Sequence, residues 1–141
     1  WEQAQDAYAG QDWQAALDYV TLVQRIDKGY QVETINTMLF DVYMGLAAKA
    51  LARGDFPVAD TQLGKALALR PDAEPVIRIR SALLGLMQPD LVNNVTARRD
   101  LWNRLVDYGD QLAQVEAFCA AADQLAAAIR VLPDHLSLIH I

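Results

Sequence analysis

The stretch that most limits what this chain can fold into runs from Phe40 to Pro71, FDVYMGLAAKALARGDFPVADTQLGKALALRP. Its first half sets Tyr43, Leu46, Ala47, Ala50 and Leu51 at three- and four-residue spacing. Its second half does the same with Phe56, Ala59, Leu63, Ala66 and Leu67. That spacing gathers apolar side chains on one face of an α-helix. Between the halves lies Arg53-Gly54-Asp55. Glycine readily takes the left-handed backbone that ends a helix, and aspartate caps the start of the next. Pro71 stops the second helix, because it bars the residue before it from helical backbone. The stretch therefore reads as two helices in a tight hairpin. Ala47, Ala50, Ala59 and Ala66 fall where the helices face each other, and their small size permits close approach.

The pattern recurs on both sides. Residues 1–27 read as the end of one helix (Ala4, Ala7, Tyr8), a turn at Gly10-Gln11-Asp12, and a second helix with Trp13, Ala16, Leu17, Val20 and Val23 on one face. Gly10-x-Asp12-Trp13-x2-Ala16 parallels Gly54-Asp55-Phe56-x2-Ala59, with Lys28 where the later copy has proline. From Ala97 to Leu132 comes a further hairpin. It opens on Leu105-x2-Tyr108-Gly109-x2-Leu112, continues through Phe118, Ala121, Leu125 and Ala128, and closes at Pro133, with Glu116 in place of a turn glycine. Val32, Ile35 and Leu39 extend the helix that runs to Arg53 upstream. Val76, Ile79, Leu83 and Leu86 make one face of an intervening helix, with Pro75 in its first turn. Met87 to Val95 reads as a loop. Its Asn94-Val95-Thr96 fits a glycosylation sequon, a short pattern that chance supplies readily.

Tyr43-x2-Leu46-Ala47-x2-Ala50, then Ala59-x3-Leu63, then Ala66 and Pro71, resembles a tetratricopeptide repeat. That family is marked by Trp-x2-Leu-Gly-x2-Tyr, Ala-x3-Phe and a closing Pro. The resemblance covers about residues 1–28, 40–71 and 102–133, within a repeat-like domain of residues 1–135. The marker alanines Ala16, Ala59 and Ala121 are not evenly spaced at the roughly 34 residues of a tandem array. The inserted segments account for the difference. The resemblance implies an all-α fold of about seven helices, with stacked antiparallel hairpins in a right-handed α-solenoid.

Composition narrows function further. The chain has 141 residues, 53% hydrophobic and 21% charged, with a formal net charge of −6. That balance supplies a core, and it speaks against nonspecific nucleic-acid binding and against docking on anionic lipid. No run is long and apolar enough for membrane insertion. The chain opens at Trp1 and ends on the apolar LSLIHI, residues 136–141. Both ends read as those of a fragment. The tail reads either as a translated adapter remnant or as a native strand-like end, and the compartment stays open between bacterial cytoplasm and export.

The residues that carry chemistry are few. Cys119, the single cysteine, sits among Phe118, Ala120 and Ala121 and reads as a small buried core residue. His135 and His140 have no cysteine or acidic cluster at metal-ligand spacing, so no metal and no cofactor are expected. Asp107 and Asp110 share a helix face as solvated acids. No phosphate loop or nucleophile elbow is present. Arg78, Arg80, Arg98, Arg99 and Arg104 cluster in the second half without forming one stripe. The expected role is therefore a noncatalytic protein–protein interaction scaffold, binding a protein or peptide. By resemblance, Asp41, Met44, Ala48 and Leu51 would line its groove in the central copy, and Asn103, Val106 and Asp110 in the last. Met44 and Ala48 offer no grip for a terminal carboxylate, and such a groove suits an apolar or helical segment. Two other roles remain open: a helical accessory domain of a larger enzyme or signalling protein, and a self-associating assembly factor.

Overall fold

The computed structural model describes residues 1–91 and 94–131. Pro133, both histidines, the 136–141 tail and two residues of the 87–95 loop lie outside the described residues. Among the described residues the fold is all-α, with seven helices and no strand. They are α1 (Glu2–Ala9), α2 (Trp13–Ile26), α3 (Val32–Arg53), α4 (Phe56–Leu69), α5 (Glu74–Leu86), α6 (Val95–Gln114) and α7 (Phe118–Val131). The upstream extension of the central hairpin is real: α3 runs 22 residues, about 33 Å at the usual rise per residue.

Three hairpins, α1–α2, α3–α4 and α6–α7, close in the same way. A residue at positive φ ends the first helix: Gln11 at 61°, Gly54 at 76° and Glu116 at 62°. The amide of that residue donates to the carbonyl three residues back (Tyr8, Leu51, Ala113). The next amide donates to the carbonyl five residues back (Asp12 to Ala7, Asp55 to Ala50, Ala117 to Leu112, at 2.8–2.9 Å). This double bond pattern satisfies carbonyls that a helix end leaves open. Gln11, not Gly10, takes the left-handed backbone in the first hairpin. Two residues further on stands an aromatic (Trp13, Phe56, Phe118), and five further on an alanine. Ala16, Ala59 and Ala121 are all buried. Asp12 and Asp55 accept from the backbone amides of Ala15 and Val58, capping α2 and α4. Asn94 does the same for α6, accepting from Ala97 at 3.0 Å.

Helix pairing goes beyond successive neighbours. α4, α5 and α6 follow one another side by side, and α7 packs on α6 and also returns to α3. An open stack would leave α7 with α6 alone. Here α3 to α7 form a closed belt around one core that includes Leu51, Leu63, Ile79, Leu83, Leu101 and Val131. The α1–α2 hairpin leans on the N-terminal half of α3, burying Trp13, Val20, Ile35 and Val42 in a second cluster. Gly45 permits this seat, because a Cβ there would run into the Trp13 indole.

The return of α7 to α3 sets which way α7 faces. Two of its polar side chains turn inward, Gln124 donating to the Met44 carbonyl at 3.4 Å and Asp123 accepting from the Trp13 indole at 3.2 Å, while Arg130 in its last turn is exposed. Cys119 is correspondingly exposed, not the buried core residue its apolar neighbours suggest. Phe118, on the same outward side, is also exposed.

Candidate functional site

The polar groups converge where the first hairpin, α3 and the α6–α7 turn meet. Asp41 is a lone acid in an apolar run of α3 and is half-buried. The Tyr8 hydroxyl of α1 donates to its Oδ2 at 2.5 Å. Burial pushes the Asp41 carboxyl above its ordinary value, and the Tyr8 bond and the nearby Arg70 guanidinium partly oppose that rise. Tyr108 of α6 is buried beside the pair; burial first, then the Asp41 charge, push its hydroxyl up to about 12. The Tyr8 hydroxyl is raised further still, by burial and by its bond to Asp41. Arg70 follows α4 directly and lies over the Phe40 ring, 4.2 Å from its centroid. A cation over an aromatic face is held electrostatically, which fixes the guanidinium near the cleft.

These groups border three neighbouring hollows that share lining residues. A cleft of about 290 Å³ runs between Tyr8, Trp13 and Asp41 on one wall and Leu112, Ala117 and Phe118 on the other. Below it a gap of about 20 Å³ reaches Met44 and Gln124. A third hollow of about 300 Å³ adjoins through Tyr108 and Leu112 and holds Phe40, Arg70 and Val115. The lining is largely apolar, with the acids Asp41, Glu116 and Asp123 and the base Arg70 set into it. Such a surface takes an apolar side chain and orients a polar group beside it. Among the described residues no three His, Cys, Asp or Glu side chains assemble to hold a metal, and no helix is long and apolar enough to cross a membrane.

The residues read from the sequence as groove-lining divide three ways. Asp41 borders the cleft, and Met44 reaches its floor while remaining buried. Ala48 and Leu51 are core residues at 2% exposure, engaged by the belt that α7 closes, so the partner-facing role read for them gives way to packing. Asn103 and Asp110 are exposed and Val106 is half-buried on α6, away from the cleft lining. The structure brings Asp41 together with Tyr8, Trp13, Arg70, Tyr108 and Asp123, which sequence spacing does not join. A single signal was present: an acid inside the otherwise apolar run Leu39 to Gly45 needs a partner when it is buried.

Comparison of the chain with protein-family models, with curated proteins and with solved structures gives no match.

Proposed function

We propose that this chain is a noncatalytic protein–protein interaction scaffold of the tetratricopeptide kind that its sequence resembles. The observation that carries the reading is the threefold recurrence of one hairpin closure: left-handed residue, aromatic two residues on, buried alanine five residues on. Repeated hairpins of this sort present broad surfaces whose affinity is summed from many weak contacts. The apolar cleft over Asp41 supports the same reading, since its chemistry suits seating a side chain and orienting a polar group.

The test is selection of peptides from a displayed library against the full chain, followed by hydrogen exchange with the selected peptides bound. Saturable binders that slow exchange in α1, α3 or the α6–α7 turn are expected. A library that yields no saturable binder, or binders that protect none of the hairpins, would overturn the proposal.

A further inference from the structure

The cleft beside Asp41 is walled by segments of one charge. α1 and α2, as far as Gln24, carry Glu2, Asp6, Asp12 and Asp18 and no base. Between Leu105 and Ile129, the second half of α6, the turn and most of α7 carry Asp107, Asp110, Glu116 and Asp123 and no base. The bases of that hairpin stand elsewhere. Arg98 donates to the Val131 carbonyl at the hairpin's far end, next to Arg99 and Arg130, and Arg104 pairs with Asp100 at 3.4 Å. Across the three hollows, Asp41, Glu116 and Asp123 face one base, Arg70, a balance of −2. Asp41 accepts from Tyr8 and Asp123 from Trp13, and a carboxylate has lone pairs for further donors. Charges of one sign along a low-dielectric cleft focus a field that draws in the opposite charge.

The molecule's own contacts indicate the kind of cation. Arg70 lies 4.2 Å over the Phe40 ring beside Asp41, and Arg98 lies 5.6 Å over the Phe56 ring. Phe118 holds in the last hairpin the place that Phe56 holds in the central one, two residues after the left-handed residue. It is 64% exposed at the cleft wall, and the left-handed residue before it is the acid Glu116. A guanidinium stacks on an aromatic face and meets carboxylates in its own plane, while its stem lies along apolar surface. A lysine ammonium is a compact, strongly hydrated charge and gains less from such walls.

We propose that the cleft between the α1–α2 hairpin and the α6–α7 turn receives an arginine side chain of a partner protein. Its stem lies along Trp13 and Phe118, and its guanidinium is drawn to Asp41 and Glu116, which share the cleft lining, with Asp123 below adding to the field. This rests on the scaffold reading and deepens it by naming the side chain that the cleft selects.

The probe is a synthetic pentapeptide with arginine between two leucines, titrated into the isotope-labelled full chain and followed by amide and indole resonances. Matched peptides carry lysine or citrulline at the centre; citrulline keeps the shape of arginine and loses its charge. The Trp13 indole N–H, bonded to Asp123, reports occupancy of the cleft. Saturable shifts there and at the Glu116 and Phe118 amides are expected from the arginine peptide, with citrulline binding about tenfold more weakly and lysine falling between. Asp41→Asn and Glu116→Gln should each weaken the arginine peptide about fivefold, and Asp90→Asn, in the loop after α5, should leave it unchanged. Asparagine keeps an acceptor for the Tyr8 hydroxyl, and circular dichroism checks that each variant is folded; should Asp41→Asn fail to fold, Glu116→Gln alone carries the test. No saturable shift, shifts as strong with citrulline or lysine, or binding indifferent to the variants overturns the proposal. Library binders that protect the hairpins, beside an arginine peptide that does not bind, would sink this site and leave the scaffold reading standing. A library without binders sinks the scaffold reading itself.

Discussion

The three hairpin closures use the same backbone and unequal residues. Gly54 holds the left-handed conformation without penalty, whereas Gln11 and Glu116 hold it against the crowding that a Cβ brings, about 1–2 kcal/mol per residue. Offsetting that against the greater entropy glycine loses on folding, Glu116→Gly should stabilise by about 0.5–1 kcal/mol. Gly54→Ala should destabilise by about 1 kcal/mol, since no neighbouring atom lies in the way and only the backbone objects. Urea unfolding of both variants reads the two signs. Ala117 stands where Asp12 and Asp55 cap the second helices of their hairpins. Ala117→Asp should add the missing acceptor and raise stability by about 1 kcal/mol, checked by the same unfolding curves. The buried tyrosines carry a pH signature. Tyr8 and Tyr108 titrate higher in the folded chain than the ordinary 10.0, Tyr108 at about 12. Their stabilising contribution is complete below pH 10 and is lost as pH rises through the folded values. Thermal melts should fall steeply between pH 10 and 12, and Tyr108→Phe should flatten that fall. A fall of equal steepness in the variant would mean the hydroxyl is not buried in solution.

At the scale of elements, equivalent residues diverge because different neighbours cover them. Phe56 and Phe118 occupy matching positions, yet one is in the core and the other in water. Phe56→Ala should cost about 3–5 kcal/mol, and Phe118→Ala should stay within about 0.5 kcal/mol of the parent, both read by denaturant midpoint. Helix identity, the turns at Gly54 and Asp12, the long α3 and the apolar face of α5 were all legible in the sequence, because each follows from spacing or from a residue with one strong conformational habit. The orientation of α7 was not. Its composition is apolar nearly all round, so periodicity does not say which side faces in, and the inward turn of Asp123 and Gln124 depends on Trp13 and Met44, far away in the chain. For the same reason Cys119 was read as buried. Of the cleft, Asp41 was legible as a residue to watch, whereas its partners Tyr8, Arg70 and Tyr108 come from three other segments, and only the packing unites them.

For the whole molecule, the two clusters differ in how they are held. The five-helix belt is closed, so opening any member breaks contacts on two sides. The α1–α2 hairpin rests on α3 through the second apolar cluster, Trp13 over Gly45 and the Tyr8–Asp41 bond, and reaches α7 through the Trp13–Asp123 bond. Native-state hydrogen exchange should therefore show α1 and α2 opening at lower free energy than α3 and α5. Equal protection across all seven helices would refute a separately hinged hairpin.

The return of α7 to α3 also bears on synthesis. Gln124 is 80 residues downstream of the Met44 carbonyl it meets. At about 5–20 residues per second, a ribosome needs roughly 4–16 seconds to make that span. Through that interval the nascent α3 emerges with one flank bare, and the α6–α7 hairpin, made later, is the one that shields it.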